Sequence, residues 1–484
     1  MYLGLDIGTS AVKAVLLDES GTVSAEASQP LRTTRQKPLW SEQAPDDWWA
    51  AANAAIAVLP PALRAVVKGV GLSGQMHGAV LIDRGDRPLR PAILWNDGRS
   101  SAECAEIEKL CPQSRVITGN AAMPGFTAPK MIWVRRHEPD VAAAVFKVLL
   151  PKDYVRLRMT GDYATDMSDA SGTLWLDVGK RAWSMDMLAA CDLDEAQMPM
   201  LYEGCGQTGI LRQKVATAWG MKRVPVVAGG GDNAAGAIGC GIIQDGDAFL
   251  SLGTSGVLFV ASDGFSPAAD HGIHTFCHAI PARWHRMAVH LSAGASLEWI
   301  SGVIGARDIG SALALAQNGG NPFVGREMFL PYLSGERTPH NNPNASGVLF
   351  GLSHESDPGA LVQAVLEGVA FAFADGLAAL EAGGKSIKEL KVIGGGARSI
   401  LWGRILASAL DRPLVYGDDA HIGPAFGAAR LAQIAVTGAR LEDIAQPPRI
   451  DRIVEPEAAL VARACEKLTR FRALYPALEC AFGA

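Results

Sequence analysis

Residues 224–236 read Val-Pro-Val-Val-Ala-Gly-Gly-Gly-Asp-Asn-Ala-Ala-Gly, and residues 248–260 read Ala-Phe-Leu-Ser-Leu-Gly-Thr-Ser-Gly-Val-Leu-Phe-Val. The run Val224 to Ala228 is short and apolar, as a buried strand is. Gly229, Gly230 and Gly231 let the backbone turn sharply and approach a ligand. Asp232 and Asn233 follow at the strand's C-terminal edge, where open α/β sheets keep their ligands. In the second run, two apolar strands flank Gly253-Thr254-Ser255-Gly256. That hairpin turn is small, polar and rich in backbone N–H groups, a shape suited to phosphate oxygens.

The same hairpin opens the chain. Leu3-Gly4-Leu5-Asp6-Ile7-Gly8-Thr9-Ser10-Ala11-Val12-Lys13 places a Gly-Thr-Ser turn between apolar runs. Gly8 and Gly253 are counterparts about half a chain apart, so two related halves are expected, not a short-period solenoid. Two phosphate-holding hairpins, one per half, imply a nucleotide held in a cleft between lobes. Strand, glycine turn and helix recur in both halves, giving an α/β class. No low-complexity linker separates them. The repeat divides the chain into 1–232, with the first phosphate hairpin, and 233–484, with the second.

With 484 residues, 49% hydrophobic and 19% charged, there is ample material for packed cores. The net charge of -6 argues against nucleic acid or an anionic membrane as the partner. No stretch reaches the ~18 uncharged apolar residues of a membrane span. Eight cysteines without a Cys-x-x-Cys pair, and no secretion signal, are the usage of a cytoplasmic protein with reduced thiols. A homodimer is compatible with the sequence but not required by it.

Further elements follow from pattern. Pro45 opens a helix through Leu59, Val66 to Leu72 reads as a strand, and Ser73 to Gly78 reads as a loop. Asp357-Pro358 starts a long helix expected to stop at Gly383-Gly384. Leu390 to Ile393 is a strand running into Gly394-Gly395-Gly396-Ala397-Arg398-Ser399. Residues 150–222 alternate short helices and loops.

Taken together in this order, the motifs resemble those of the FGGY carbohydrate kinases. That resemblance implies two actin-like, ribonuclease-H-like ATPase domains with a cleft between them. Gly125 to Trp133 and Gly347 to Leu352 are similar to that family's two conserved stretches. Ser73-Gly74-Gln75-Met76-His77-Gly78, Trp95 to Arg99 and Leu333-Ser334-Gly335-Glu336-Arg337-Thr338-Pro339-His340 are most similar to members acting on xylulose. Ala11 departs from the glycine common after Gly-Thr-Ser. The resemblance implies ATP-dependent phosphorylation of D-xylulose to D-xylulose 5-phosphate, with Mg²⁺. Ribulose, fuculose and glycerol are alternative acceptors, and an actin- or chaperone-like ATPase is the alternative from another class.

Asp232 is the expected general base, because a sugar hydroxyl is a poor nucleophile until a carboxylate accepts its proton. A helix N-cap is the plainer reading of the same residue. Asp6, an acid inside an apolar strand, is costly to bury without a partner, so a second catalytic role holding Mg²⁺ directly or through water is expected. Gly8, Thr9, Ser10, Gly253, Thr254 and Ser255 are phosphate donors. By resemblance, Gly395, Gly396 and Ser399 lie beside the adenosine, His77 binds sugar hydroxyls, Met76 forms an apolar wall and Asn233 adds a hydrogen bond. Asn96 and Asp97 are weaker pocket candidates, and Trp95 at a strand end is more often core than a stacking platform. His271, His274, Cys277 and His278 have metal-like residue types, but alternation along a strand separates Cys277 from the histidines. A zinc site is not expected there.

Overall fold

The computed structural model describes residues 1–318, 320–382, 386–417 and 423–482. Two seven-stranded sheets carry the two halves. The first contains β1 (Tyr2–Ile7), β2 (Ala11–Leu17), β3 (Val23–Pro30), β4 (Gly69–Gly74), β5 (Gln207–Ile210) and β6 (Pro225–Val227), in the order β5-β6-β4-β1-β2-β3. The two-residue β7 (Gly230–Gly231) also pairs with β4. The second contains β8 (Ala248–Leu252), β9 (Gly256–Ser262), β10 (His274–Cys277), β11 (Trp284–His290), β12 (Leu390–Ile393), β13 (Leu414–Gly417) and β14 (Ile450–Val454), in the order β10-β11-β9-β8-β12-β13-β14.

The strand plans match. In each sheet an antiparallel hairpin, β1–β2 or β8–β9, is followed on its first strand's side by two parallel strands and then an antiparallel one. The Gly-Thr-Ser turns occupy the same place in both, so the repeat in the sequence is a repeat in topology.

The helices that matter to the site are α1 (Pro45–Val58), α2 (Pro151–Thr160), α3 (Met167–Ser171), α4 (Asp232–Gly239), α5 (Pro358–Glu381), α6 (Ile400–Leu410), α7 (Pro424–Thr437) and α8 (Ala458–Leu478). Although α7 comes late in the chain, it packs on β1, β4 and α4. Glycine permits this contact. A Cβ on Gly4 would lie 1.8 Å from Ala425 O, one on Gly71 1.9 Å from Ala428 O, and one on Gly427 1.7 Å from Ala235 O.

Asp357 caps α5 by accepting the Ala360 amide at 2.8 Å. The helix is apolar and long enough to cross a membrane, yet it is mostly buried in the second half's core, against α6 and α8. Its three acids are each paired: Glu367 with Lys467 at 2.7 Å, Asp375 with Arg472 at 2.6 Å and Glu381 with Arg412 at 3.1 Å. The stop expected at Gly383-Gly384 lies outside the described residues. A further core joins the halves, with Met76, Phe126 and Trp175 meeting Phe249, Phe259 and Phe276. Burial of each such side chain contributes about 1.5–3 kcal/mol.

Two expectations shift. The strand expected over 66–72 is β4, which runs on to Gly74, because Ser73 and Gly74 find ladder partners on both sides in β1 and β7. The stretch 150–222 contains strands as well as helices: Ala164–Asp166 pairs with Met200–Tyr202, and Leu176–Asp177 with Ala182–Trp183.

Candidate active site

Ser73 on β4 has two register partners, Asp6 on β1 and Gly230 on β7. Asp232 follows β7 as the first residue of α4, whose N-cap is Gly231. The plainer reading of Asp232 as the cap itself therefore does not hold. Its Oδ1 accepts the Asn233 amide at 2.7 Å and the Asn233 side-chain NH₂ at 3.0 Å. Burial nevertheless dominates, and the Asp232 carboxyl is pushed up to about 6. The Asp6 carboxyl is pushed up to about 7, first by burial and then by the charge of Asp232, against the pull of Lys13 and Ser73. Two carboxylates thus share one end of the first sheet.

Asp6 Oδ1 has no hydrogen-bond partner. An unpartnered buried carboxylate oxygen beside a second carboxylate fits a hard divalent cation. Among the described residues no group of three or more metal-ligating side chains exists, so remaining ligands would have to come from phosphate and water.

The first turn is held from behind by amides that the expectations above did not include. The Gln43 side chain donates to Thr9 O at 2.7 Å, and Thr9 Oγ1 donates to Gln75 Oε1 at 3.0 Å. Gln43 Oε1 in turn accepts from Gln75 Nε2 at 3.0 Å and from Trp48 Nε1 on α1 at 2.8 Å. Trp95 Nε1 donates to Thr9 Oγ1 at 2.9 Å, so this indole supports the turn. The Gly8 amide closes the turn onto Ala11 O at 3.1 Å, whereas among the described residues the Thr9 and Ser10 amides have no acceptor. In the second turn the Gly253, Thr254 and Ser255 amides have none either. The Gly253 and Thr254 carbonyls accept the Ala293, Gly294 and Ala295 amides. Free donors on a braced turn suit an anion.

His77 has a left-handed backbone, φ 68°. Its Nδ1 lies 2.6 Å from Gly172 O. A carbonyl can only accept, so Nδ1 carries the proton. Burial holds the ring's pKa well below its ordinary value. Neutral His77 therefore has Nε2 as an acceptor for a ligand hydroxyl. The ring packs edge-on to Phe126 at 4.8 Å, and Phe276 of the second half lies 6.1 Å away. Met76 packs over Gly231, where a Cβ would meet its Cγ at 2.8 Å.

The short helix α3 serves both functional segments. Asp166 caps it, accepting the Ser168 and Asp169 amides. The Ser168 hydroxyl accepts the Gly231 amide at 3.1 Å, one residue before Asp232. Gly172, at the other end of α3, is the residue that holds His77. Asp166 is in turn fixed by Lys152 on α2, whose ammonium lies 2.6 Å from Asp153, 2.8 Å from Asp166 and 3.2 Å from Asp169, all fully buried.

The three adenosine candidates divide. Gly395 opens on space, and with Gly394 and Arg398 it walls a cavity of about 740 Å³. Gly396 is packed, since a Cβ would meet Leu252 Cδ2 at 2.5 Å, and Ser399 caps α6 through the Trp402 amide. Asp97 is committed elsewhere, accepting from Ser41 N and Arg99, while Asn96 is exposed. His274 bonds Asn120 at 3.0 Å and His278 bonds Ile242 O at 3.1 Å. Of the residues missed, Gln75 lay inside a stretch already singled out. Asp166 and Ser168 form an Asp-x-Ser cap that pattern alone could have marked.

The pattern of the FGGY family of carbohydrate kinases, N-terminal domain, matches residues 1–239, and that of the C-terminal domain matches residues 248–436. The chain is 52% identical over 481 residues to the xylulose kinase of Escherichia coli (strain K12), covering 99% of each. It is 53% identical over 438 residues to the xylulose kinase of Klebsiella pneumoniae, covering 90% of each. Among solved structures, a "xyloylose kinase" from Brucella ovis superposes with a TM-score of 0.95 at 49% identity, covering 99% of both chains.

Proposed function

Because the chain belongs to the FGGY family of carbohydrate kinases, we propose that it transfers the γ-phosphoryl group of ATP to the primary hydroxyl of D-xylulose, giving D-xylulose 5-phosphate and ADP. The observation that carries this reading is the pair of raised carboxyls, Asp6 and Asp232, together with a neutral His77 whose Nε2 can only accept. The reading agrees with the names of the relatives reported above.

In this mechanism Asp232 accepts the proton of the terminal hydroxyl as its oxygen attacks the γ-phosphorus in line. A carboxyl near 6 is mostly ionised at neutral pH, yet more basic than an ordinary aspartate, as a general base should be. Asn233 orients it by two hydrogen bonds. His77 Nε2 accepts from a sugar hydroxyl and Met76 lines the apolar side. Amides of Thr9, Ser10, Gly253, Thr254 and Ser255 receive phosphate oxygens, with the Gly8 amide closing the first turn. Gly395 borders the nucleoside, with Gly396 and Ser399 shaping the wall behind it. Asp6, aided by Asp232, would hold Mg²⁺, which supplies charge neutralisation on the phosphates. The first half, 1–232, then serves the sugar and the second, 233–484, the nucleotide, in a cytoplasmic enzyme.

A coupled ADP-release assay over D-xylulose, D-ribulose, L-fuculose and glycerol tests this. D-Xylulose should give the highest kcat/KM and ATP turnover should rise strongly on its addition. Equal rates across the panel, or a preference for glycerol, would refute the assignment.

A further inference from the structure

The stretch Glu336-Arg337-Thr338-Pro339 comes from the second half but reaches residues of the first. A Cβ built on Gly125 would lie 3.2 Å from Arg337 Nη2 and 2.5 Å from Trp95 O. The Arg337 charge is felt by His77, His274 and Lys130. The guanidinium therefore stands among the side chains around His77, with Phe126 and Phe276 completing the aromatic wall.

No acceptor is spent on it. Among the described residues the Arg337 side chain makes no hydrogen bond or ion pair. Its neighbour Glu336 is turned away: Oε1 accepts the Leu291 and Arg337 amides, and Oε2 lies 3.5 Å from His290 Nδ1. The Lys130 ammonium is already bound to His77 O and Gly125 O, each at 2.8 Å. Asp97, the carboxylate whose charge acts on Lys130, is held by Arg99. A sheltered guanidinium without a partner is costly. The backbone under it is nonetheless fixed, since Thr338 Oγ1 donates to Gly272 O at 2.7 Å and accepts the Val289 amide at 3.0 Å.

We propose that Arg337 is a specificity-determining residue of the sugar site, donating to the carbonyl end of the ketose while Asp232 receives the hydroxyl at the other end. The assignment rests on the sugar-kinase reading above and goes beyond it. His77 Nε2 only accepts and so selects a hydroxyl. Arg337 only donates and so selects an oxygen that accepts. The ketone oxygen is the one oxygen of a 2-ketopentose that cannot donate, so it is the natural counterpart of Arg337. The contact also makes the sugar site incomplete without the second half.

The test compares wild type with Arg337→Met and Arg337→Lys, reading steady-state kinetics and calorimetric binding of D-xylulose without ATP. Loss of a hydrogen bond from a charged donor corresponds to about 10- to 100-fold. Arg337→Met should raise the sugar KM and Kd by that factor and leave the KM for ATP unchanged. The preference for D-xylulose over the polyol xylitol should shrink, and Arg337→Lys should fall between the two. Unchanged sugar Kd and selectivity in either folded variant would overturn the proposal. If wild type prefers another sugar of the panel, the substrate reading fails. The Arg337 effect is then read on that sugar, so the two failures are separable.

Discussion

Asp6 pairs with Ser73 from one side, Asp232 follows the two-residue strand that pairs with Ser73 from the other, and the charge of Asp232 helps hold the Asp6 carboxyl at about 7. Burial is the larger cause for both groups. The first sheet thus ends in two acids that destabilise each other's ionised forms unless a cation or a proton intervenes.

The base must be ionised to work. Since the Asp232 carboxyl sits near 6, kcat/KM for the sugar should fall about tenfold per pH unit below that value, on the acid limb of a pH–rate profile. Asp232→Ala should lower kcat by about 10²–10⁴-fold with ATP binding retained. Near-normal turnover in that variant would contradict the role of base.

Stability should move the opposite way. Both folded carboxyls lie above the ordinary aspartate value, so the folded state binds protons more tightly than the unfolded one. Their cost is absent near pH 4, grows as pH rises, and is complete above about 7. Asp6→Asn should therefore raise Tm at pH 8 in Mg²⁺-free buffer, have little effect at pH 4, and abolish most activity. Each kcal/mol relieved corresponds to about 2–4 °C in a domain of 150–250 residues. A lower Tm at pH 8 would show that Asp6 is not strained.

Ser168 bonds the Gly231 amide and reaches Asp166 with its own hydroxyl proton. Ser168→Ala should lower kcat about fivefold, at the scale of one net hydrogen bond of about 1 kcal/mol, and shift the acid limb of the pH profile. The KM for ATP should not change, and Ser168→Thr should restore the profile. A loss of Tm with kcat and the pH limb intact would make the residue merely structural.

Lys152 is the sole ammonium among three buried aspartates, with Arg156 3.3 Å from one of them. Lys152→Met leaves Asp166 and Asp169 without their cation while Asp153 keeps Arg156, and a broken buried pair costs about 3–5 kcal/mol. Urea unfolding should show that loss. Replacing Lys152 together with Asp166 and Asp169 by Met, Asn and Asn should recover much of it.

Local features were legible in the sequence. Three glycines ending a strand, a Gly-Thr-Ser turn and an Asp-Pro helix start carry their meaning within a few residues. That meaning placed the hairpins, α5 and Asp232. What was not legible depends on segments distant in sequence. The Ser168–Gly231 bond joins residues 63 apart, and the His77–Gly172 bond joins residues 95 apart. Gln43 looked like an ordinary polar residue before α1, and only tertiary packing brings it to the Thr9 carbonyl. Gly396 and Ser399 show the converse. Their glycine-rich motif reads as a ligand loop, but one is filled by Leu252 and the other is used as a cap.

The helix that roofs β1 and β4 begins at Pro424, while the strands it covers end by Gly74. During synthesis the ribosome therefore extrudes the first sheet hundreds of residues before its cover exists. The nascent chain must keep that apolar face from aggregating for most of translation. A fragment ending between the two halves would inherit the same bare face permanently, so the visible seam in this gene is a poor place to cut it.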